Sequence, residues 1–234
     1  MIARISSPED FAALPAKGVE AQKIRALYQA YGAGYDFCRF YRQNGDTFIA
    51  ALDGDFILCG GGADHGELAG FLSVCGFGSI FCSESAAAAL PFPAAFVYLM
   101  RYVGGAEVCE EIDREPRLDE VYGILKTAFD IQYEPWYLDM SHRVRHGVSR
   151  CMTLGGSTLT VQHNINGEAL LSQIAALPQS QGKGVTKRLI RAACSELAPS
   201  EVYVLCEREL TGFYEKCGFE ICDKKCLLSG KEGR

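Results

Sequence analysis

Pro178-Gln179-Ser180-Gln181-Gly182-Lys183-Gly184-Val185-Thr186-Lys187-Arg188-Leu189 is the stretch on which the reading of this chain turns. An apolar run, Ala169 to Leu177, leads into it and reads as a buried strand. Glycines at 182 and 184 permit backbone conformations and close approaches that a Cβ would hinder. Beyond them Val185, Leu189 and Ala193 fall at spacings of four, on one face of a helix. The order is therefore strand, glycine-bearing turn, helix. A helix N-terminus offers N–H groups without intrahelical partners and a partial positive charge, which suits a phosphate. Lys183, Lys187 and Arg188 add full charges nearby. A P-loop is excluded by spacing: no glycine precedes Gly182-Lys183 at the required distance, and Gly184 stands where Ser or Thr is needed.

A second motif follows about 30 residues later, Phe213-Tyr214-Glu215-Lys216-Cys217-Gly218-Phe219, with a strand-like run between the two. The pattern Q-x-x-G-x-G at Gln179, Gly182 and Gly184, followed by Y-E-K-x-G-F, resembles the GNAT superfamily of N-acetyltransferases over roughly residues 106 to 228. The resemblance implies an α/β (α+β) GNAT fold, a mixed and mostly antiparallel central sheet flanked by helices. It also implies acyl transfer from acyl-coenzyme A, most often acetyl-coenzyme A, to an amine, with no metal. By that resemblance Gln179 and the loop from Gln181 through Gly182, Lys183, Gly184, Val185, Thr186 and Lys187 hold the pyrophosphate. Ile174, Ala175, Ala176 and Leu177 offer a strand edge to the pantetheine amides, left free where two strands splay. Tyr214 stands where the family places a proton donor for the departing thiolate, and Glu168 where some members place a general base. An asparagine often found seven residues before that tyrosine is Glu207 here, which puts coenzyme orientation in question.

Composition bounds the alternatives. Of 234 residues, 48% are hydrophobic and 22% charged, as in a folded globular chain. The net charge of −6 argues against a nucleic-acid-coating surface. Eleven cysteines without a secretory pattern read as reduced thiols in a cytoplasmic protein. Cys206, Cys217, Cys222 and Cys226 match no usual zinc spacing and read as core thiols. The run Ala86 to Met100 is broken by Pro91 and Pro93 and is too short to span a bilayer of roughly 30 Å.

The pattern along the chain suggests a repeat. Residues 1 to 34 read as mainly helical, with a start at Ser7-Pro8-Glu9-Asp10 and a helix from Glu20 to Ala30. Strands follow at Phe37 to Tyr41, Thr47 to Leu52 and Asp55 to Cys59, joined by Asn44-Gly45 and Asp53-Gly54. Gly60-Gly61-Gly62, a helix from Asp64 to Val74 and a strand from Ser79 to Cys82 come next. Phe96 to Val103 is rich in strand formers, and Glu107 to Ile112 reads as a strand. Leu118, Val121, Leu125 and Phe129 form a helical stripe, and Pro135 opens a helix carrying Trp136, Met140 and Val144. Strands at Arg150 to Leu154, Thr158 to Asn164 and Glu168 to Leu177 then repeat the earlier order, through Gly155-Gly156 and Asn166-Gly167. A helix over 185 to 197, a strand from Val202, a helix from Arg208 and a strand from Phe219 to Leu227 complete the second copy. The first copy lacks the Q-x-x-G-x-G spacing and places Asp64 and Glu67 where phosphates would be repelled. The organisation expected is tandem: residues 1–104 a degenerate GNAT-like half, residues 105–234 the acetyltransferase domain.

Trp136, His142 and Arg143 lie on the helix that often shapes the acceptor pocket in this family, so they are candidates to bind substrate. Arg143 has the fork to grip a carboxylate and His142 can relay a proton. Each also fits a solvated helix end where the dipole favours cations. The partners expected are acetyl-coenzyme A and an amine acceptor of unknown identity, with no nucleic acid and no membrane, and with a homodimer left open. A non-catalytic acyl-coenzyme A sensor is the competing function.

Overall fold

The computed structural model describes residues 1–61 and 64–230. Gly62 and Ala63, part of the expected degenerate loop, lie outside the described residues. The chain forms two compact units, residues 1–98 with 223–234, and residues 99–222.

The first unit opens with strand β1 (Ile2–Arg4), absent from the sequence-based expectation of helix, and a 3-10 turn over Pro8–Phe11. That turn is fixed by a capping box: the Asp10 carboxylate accepts from the Ser7 backbone N–H at 3.2 Å. Helix α1 (Val19–Tyr31) follows, then β2 (Cys38–Gln43), β3 (Thr47–Leu52), β4 (Asp55–Cys59), α2 (His65–Cys75), β5 (Ser79–Ser83) and α3 (Glu84–Ala88). Strands β1 to β4 pair antiparallel in sequence order, and β5 runs parallel to β4 through Phe56 with Ile80 and Ile57 with Phe81. The hairpin turns Asn44-Gly45 and Asp53-Gly54 have φ of 50° and 95°, and 49° and 89°, the doubly left-handed geometry whose twist matches paired strands.

The chain then runs through β6 (Ala94–Tyr102), and the division between units falls inside this strand. In the second unit come α4 (Leu118–Leu125), α5 (Tyr133–Arg145), β7 (Arg150–Leu154), β8 (Ser157–Ile165), β9 (Glu168–Ala176), α6 (Val185–Glu196), β10 (Glu201–Cys206), α7 (Thr211–Cys217) and β11 (Phe219–Ser229). Here β7, β8 and β9 pair antiparallel, and β10 runs parallel to β9. Each unit thus has the same chain order and strand sense: helix, three-stranded meander, helix, parallel strand. Helices α4 and α5 share a core with the sheet, built on Val121, Leu125, Trp136, Met140, Cys151 and Ala175.

Strand β11 also crosses the division, since Cys222 ends one unit and Asp223 begins the other part of the first. Its last residues pair antiparallel with β5, Lys225 opposite Ser83 through Ser229 opposite Ser79. Alternation explains this: Cys226 and Leu228 point into the core of the first unit, and a buried leucine there contributes about 2 kcal/mol. The sequence had placed this whole strand with the C-terminal half.

Glu107–Ile112 is not a strand. Only an isolated bridge, Asp113 with Thr153, touches the sheet. The acidic residues of this segment are instead tied to α6. Arg191 meets Glu107 at 3.1 Å, Arg188 meets Glu111 at 3.0 Å, and the Glu107 N–H donates to Ser195 Oγ at 2.7 Å. The stripe from Leu118 ends at Leu125, so Phe129 stands beyond the helix and is exposed.

Candidate active site

Strand β9 departs from regular pairing in two ways that matter together. Its register with β10 runs from Glu168 opposite Glu201 to Leu171 opposite Val204 and goes no further. From Ser172 to Ala176 that edge keeps its N–H and C=O groups for something other than β10, over five residues or about 16 Å. On the other edge, Thr158 faces Ala175 while Thr160 faces Ser172, so β9 holds one extra residue: a β-bulge. Gln173 lies in it with φ 48°, a left-handed conformation uncommon for a residue with a Cβ. Its side chain is fixed, because Oε1 accepts from Trp136 Nε1 at 3.2 Å and from Thr160 Oγ1 at 3.2 Å. Ile174, Ala175, Ala176 and Leu177 follow along the free edge.

The glycine loop comes next. Pro178–Ser180 forms a 3-10 turn, and Gly182 and Gly184 both have φ 74°. Gly184 is the N-cap of α6, so the first-turn amides of Val185, Thr186 and Lys187 have no intrahelical carbonyl to bond. Nothing lies within 4 Å of where a Cβ would stand on Gly182 or Gly184. The open side of the loop therefore presents donors and space together, which fits a diphosphate. Side chains behind the loop hold its shape. Ser180 Oγ donates to the Gly155 carbonyl at 2.8 Å, Ser157 and Thr186 hydroxyls meet at 2.9 Å, and the Leu177 N–H donates to the Gly156 carbonyl at 2.9 Å. Gly156 is constrained too: a Cβ there would come 2.5 Å from Ser180 Oγ. Gln181 turns back, its Nε2 donating to the Ala176 carbonyl at 3.3 Å, while Gln179 and Lys183 are exposed and Lys187 is half-buried. Arg188 is engaged by Glu111 and is less available to a ligand than the sequence suggested.

Tyr214 lies on α7, buried, with its ring 5.2 Å from Phe213 and 5.8 Å from Phe219 between centroids. Burial, with the thiols of Cys206 and Cys217 nearby, pushes the phenol pKa well above its ordinary value. Tyr214 is therefore a neutral phenol at every working pH and a hydrogen-bond donor throughout. Glu207 follows β10 as the exposed N-cap of the turn Arg208–Leu210.

Three sequence-based candidates are placed differently from their expected use. Glu168 is at the paired end of β9, opposite Glu201 and buried, about 15–20 Å along the strand from Ile174. A general base must reach its proton directly or through one water, so Glu168 does not serve this bulge as one. Arg143 is buried and grips Asp139 with Nε at 2.8 and 2.9 Å from the two carboxylate oxygens. Its charge is committed inside its own helix rather than offered to an acceptor. His142 stacks on His146 at 4.1 Å between ring centroids, at the exposed end of α5. Trp136, by contrast, is brought to the bulge. Gln173 and Thr160 were missed by sequence reasoning, and the one signal for them is a polar residue, Gln173, interrupting an apolar strand.

A cavity of about 840 Å³ in the second unit is lined by Arg114, Pro116, Val144, Val148, Arg150 and Glu196, among others, and includes no residue of the loop or of the free edge. The site of interest is the open edge and loop. Among the described residues no group of three or more His, Cys, Asp or Glu side chains is arranged to hold a metal ion, and no helix is long and apolar enough to cross a membrane. Cys206 Sγ lies 3.5 Å from Met100 Sδ and Cys222 Sγ 3.3 Å from the Leu99 carbonyl, so these two thiols pack against different neighbours.

A parallel pair that stops short beside a bulge, followed by a glycine N-cap, is the local architecture of the second unit. Residues 147–221 match the family model described as an acetyltransferase (GNAT) domain, and the chain carries a GNAT domain there. Solved structures share the fold. A GCN5-related N-acetyltransferase from Kribbella flavida matches with a TM-score of 0.66 at 11% identity, covering 92% of this chain and 95% of its own. A GCN5-related N-acetyltransferase from Sphaerobacter thermophilus matches at 0.57 and 14%, covering 97% and 94%. A tandem GNAT protein from the clavulanic acid biosynthesis pathway matches at 0.51 and 10%, covering 100% and 99%. A search of curated proteins finds no match to this sequence.

Proposed function

We propose that this chain is an acyl-coenzyme A-dependent N-acyltransferase that moves an acetyl group from acetyl-coenzyme A to an amine of a small molecule or protein. The observation that carries this reading is the conjunction of the unpaired edge Ser172–Ala176 with the open, glycine-capped N-terminus of α6. The loop donors from Gln181 to Lys187, with Lys183, would bind the diphosphate, and the edge Ile174–Leu177 the pantetheine amides. The amine nitrogen attacks the thioester carbon, a C–N bond forms and the C–S bond breaks. Strand N–H groups at the bulge near Ile174 are the donors suited to the tetrahedral oxyanion. Tyr214 donates a hydrogen bond to the departing sulfur, and water takes the amine proton. No metal enters these steps.

On the same reading the first unit is a degenerate GNAT-like half that binds no coenzyme. Asp64 caps α2 by accepting from the Glu67 N–H at 3.0 Å, so a carboxylate already sits where a phosphate would. Glu67 pairs with the N-terminal amine at 3.0 Å. Calorimetry with acetyl-coenzyme A should give one site per chain. Thiol release with a panel of amines should show turnover. Binding at one site with no turnover on any amine would favour the sensor reading, to which Glu207 at the usual asparagine position lends support. Two sites per chain would refute the degenerate half.

A further inference from the structure

Gln173 has a feature that the acyl-transfer chemistry alone does not require. An indole N–H can only donate, so the amide atom facing Trp136 must be the oxygen. That oxygen also receives the Thr160 hydroxyl, which uses both of its acceptor directions. The amide NH₂ is thereby turned away from Trp136 and Thr160, and no described residue accepts a hydrogen bond from it. Gln173 is only half-buried, so this donor is reachable. It sits at the bulge, at the end of the free edge farthest from the phosphate loop. Its φ of 48° goes with the bulge, and a left-handed backbone at a residue with a Cβ is a marker of a functional position.

We infer that Gln173 is a specificity-determining residue: its Nε2 donates a hydrogen bond to a carbonyl or carboxylate oxygen carried by the acceptor next to its amine. The inference rests on the acyltransferase reading. It assigns the acceptor to a chemical class, amines bearing an oxygen acceptor a few bonds from nitrogen. Simple alkyl and arylalkyl amines fall outside that class. The ring cluster on the α4–α5 side of β9, in which Tyr122 lies 5.6 Å from Trp136 and 4.9 Å from Tyr133, adds apolar surface for the rest of such a molecule.

The test uses two probes that differ by one carboxamide, phenylalaninamide and phenethylamine, with acetyl-coenzyme A and the full chain. The wild-type protein should favour phenylalaninamide by about tenfold or more in kcat/KM, the scale of one hydrogen bond at a desolvated site. Gln173→Glu is nearly isosteric and keeps an oxygen facing Trp136 and Thr160, while replacing the outward donor by an acceptor. It should raise KM for phenylalaninamide at least tenfold, leave KM for acetyl-coenzyme A within about twofold, and remove the preference between probes. A merely structural role would shift both substrates together. Equal wild-type rates on the two probes overturn the inference without any variant. So does turnover of neither probe by a protein that binds acetyl-coenzyme A. Failure to bind acetyl-coenzyme A at all overturns the acyltransferase reading itself.

Discussion

Gly182→Glu, compared with Gly182→Ala, isolates the electrostatics of the loop. Gly182 has φ 74° and empty space around its missing Cβ. Either substitution places a Cβ in the left-handed region, which costs about 1–2 kcal/mol of stability. Neither meets a clash, so the two variants should melt at similar temperatures below wild type. They differ in charge and in side-chain length, and the salt dependence of the difference reports the charge. A carboxylate about 5 Å from a doubly charged diphosphate is repelled by about 1.7 kcal/mol even at the dielectric of water, and by more where the loop excludes solvent. At 1.4 kcal/mol per decade, Gly182→Glu should bind acetyl-coenzyme A at least about 15-fold more weakly than Gly182→Ala. Titration calorimetry at low salt reads the ratio, and raising the ionic strength should narrow it as the charges are screened. If the two variants bind within threefold of each other, no diphosphate lies at this loop and the site has been placed wrongly.

Tyr214→Phe keeps the ring packing against Phe213 and Phe219 and removes only the hydroxyl. The expected result is a fall in kcat of about 10²-fold with KM for acetyl-coenzyme A nearly unchanged; survival of turnover within twofold, with chemistry rate-limiting, would make Tyr214 a packing residue. In the first unit Lys225 Nζ meets Glu20 at 2.7 Å, with both side chains 10% exposed. Lys225→Met should cost about 3 kcal/mol in urea denaturation by stranding the Glu20 carboxylate, and adding Glu20→Gln should restore part of it; a loss under about 1 kcal/mol would show that the pair is not buried in solution. Burial raises the thiols of Cys59, Cys206 and Cys217 to about 11 and that of Cys82 to about 12, from an ordinary 9.0. Because these folded values lie above the unfolded one, the protonated native state is favoured. Their contribution is whole below about pH 9 and is lost as pH rises towards 11–12. A melting temperature that holds constant from pH 8.5 to 11 would contradict the burial of these thiols.

Most of the elements could be read from local chemistry. Strands β3, β4 and β7 lie where alternation and the flanking turns put them, because Asn44-Gly45, Asp53-Gly54 and Gly155-Gly156 leave little choice of register. The loop was legible for a similar reason: two glycines at φ 74° can be anticipated from their identity and spacing. Three things were not legible. The Glu107–Ile112 run has the composition of a strand edge, but its acids are captured by Arg188 and Arg191, partners 77 and more residues away. The bulge at Gln173 depends on Trp136 and Thr160 arriving from other elements, and no residue type announces it. The disposition of Arg143 also depended on a partner: a helix-end arginine looks like a ligand clamp until Asp139, four residues earlier, is found holding it.

The two units share one order of elements and differ at two places that bear on the proposed ligand site. In the first, β3 and β4 pair without interruption from Phe48 opposite Cys59 to Leu52 opposite Asp55, with no extra residue to redirect an N–H group. In the second, one extra residue in β9 does so. In the first, the helix after the meander is capped by Asp64, which meets its own amide donor and brings a negative charge. In the second, the cap is Gly184, which supplies the turn but no side chain, and so leaves the donors and the positive end of the helix to something from outside. Against a carboxylate cap, a glycine cap gives up only about a few tenths of a kcal/mol, but it leaves the amide donors of α6 without a side-chain partner. The helix is held mainly by its apolar face, where Leu189, Ile190 and Ala193 are fully buried. A helix start left unsatisfied beside an unpaired strand edge is thus a local cost borne by the packing around it. The start of α2 in the first unit is already met by Asp64, and on the acyltransferase reading proposed above this difference in caps is the physical ground for assigning the coenzyme to the second unit.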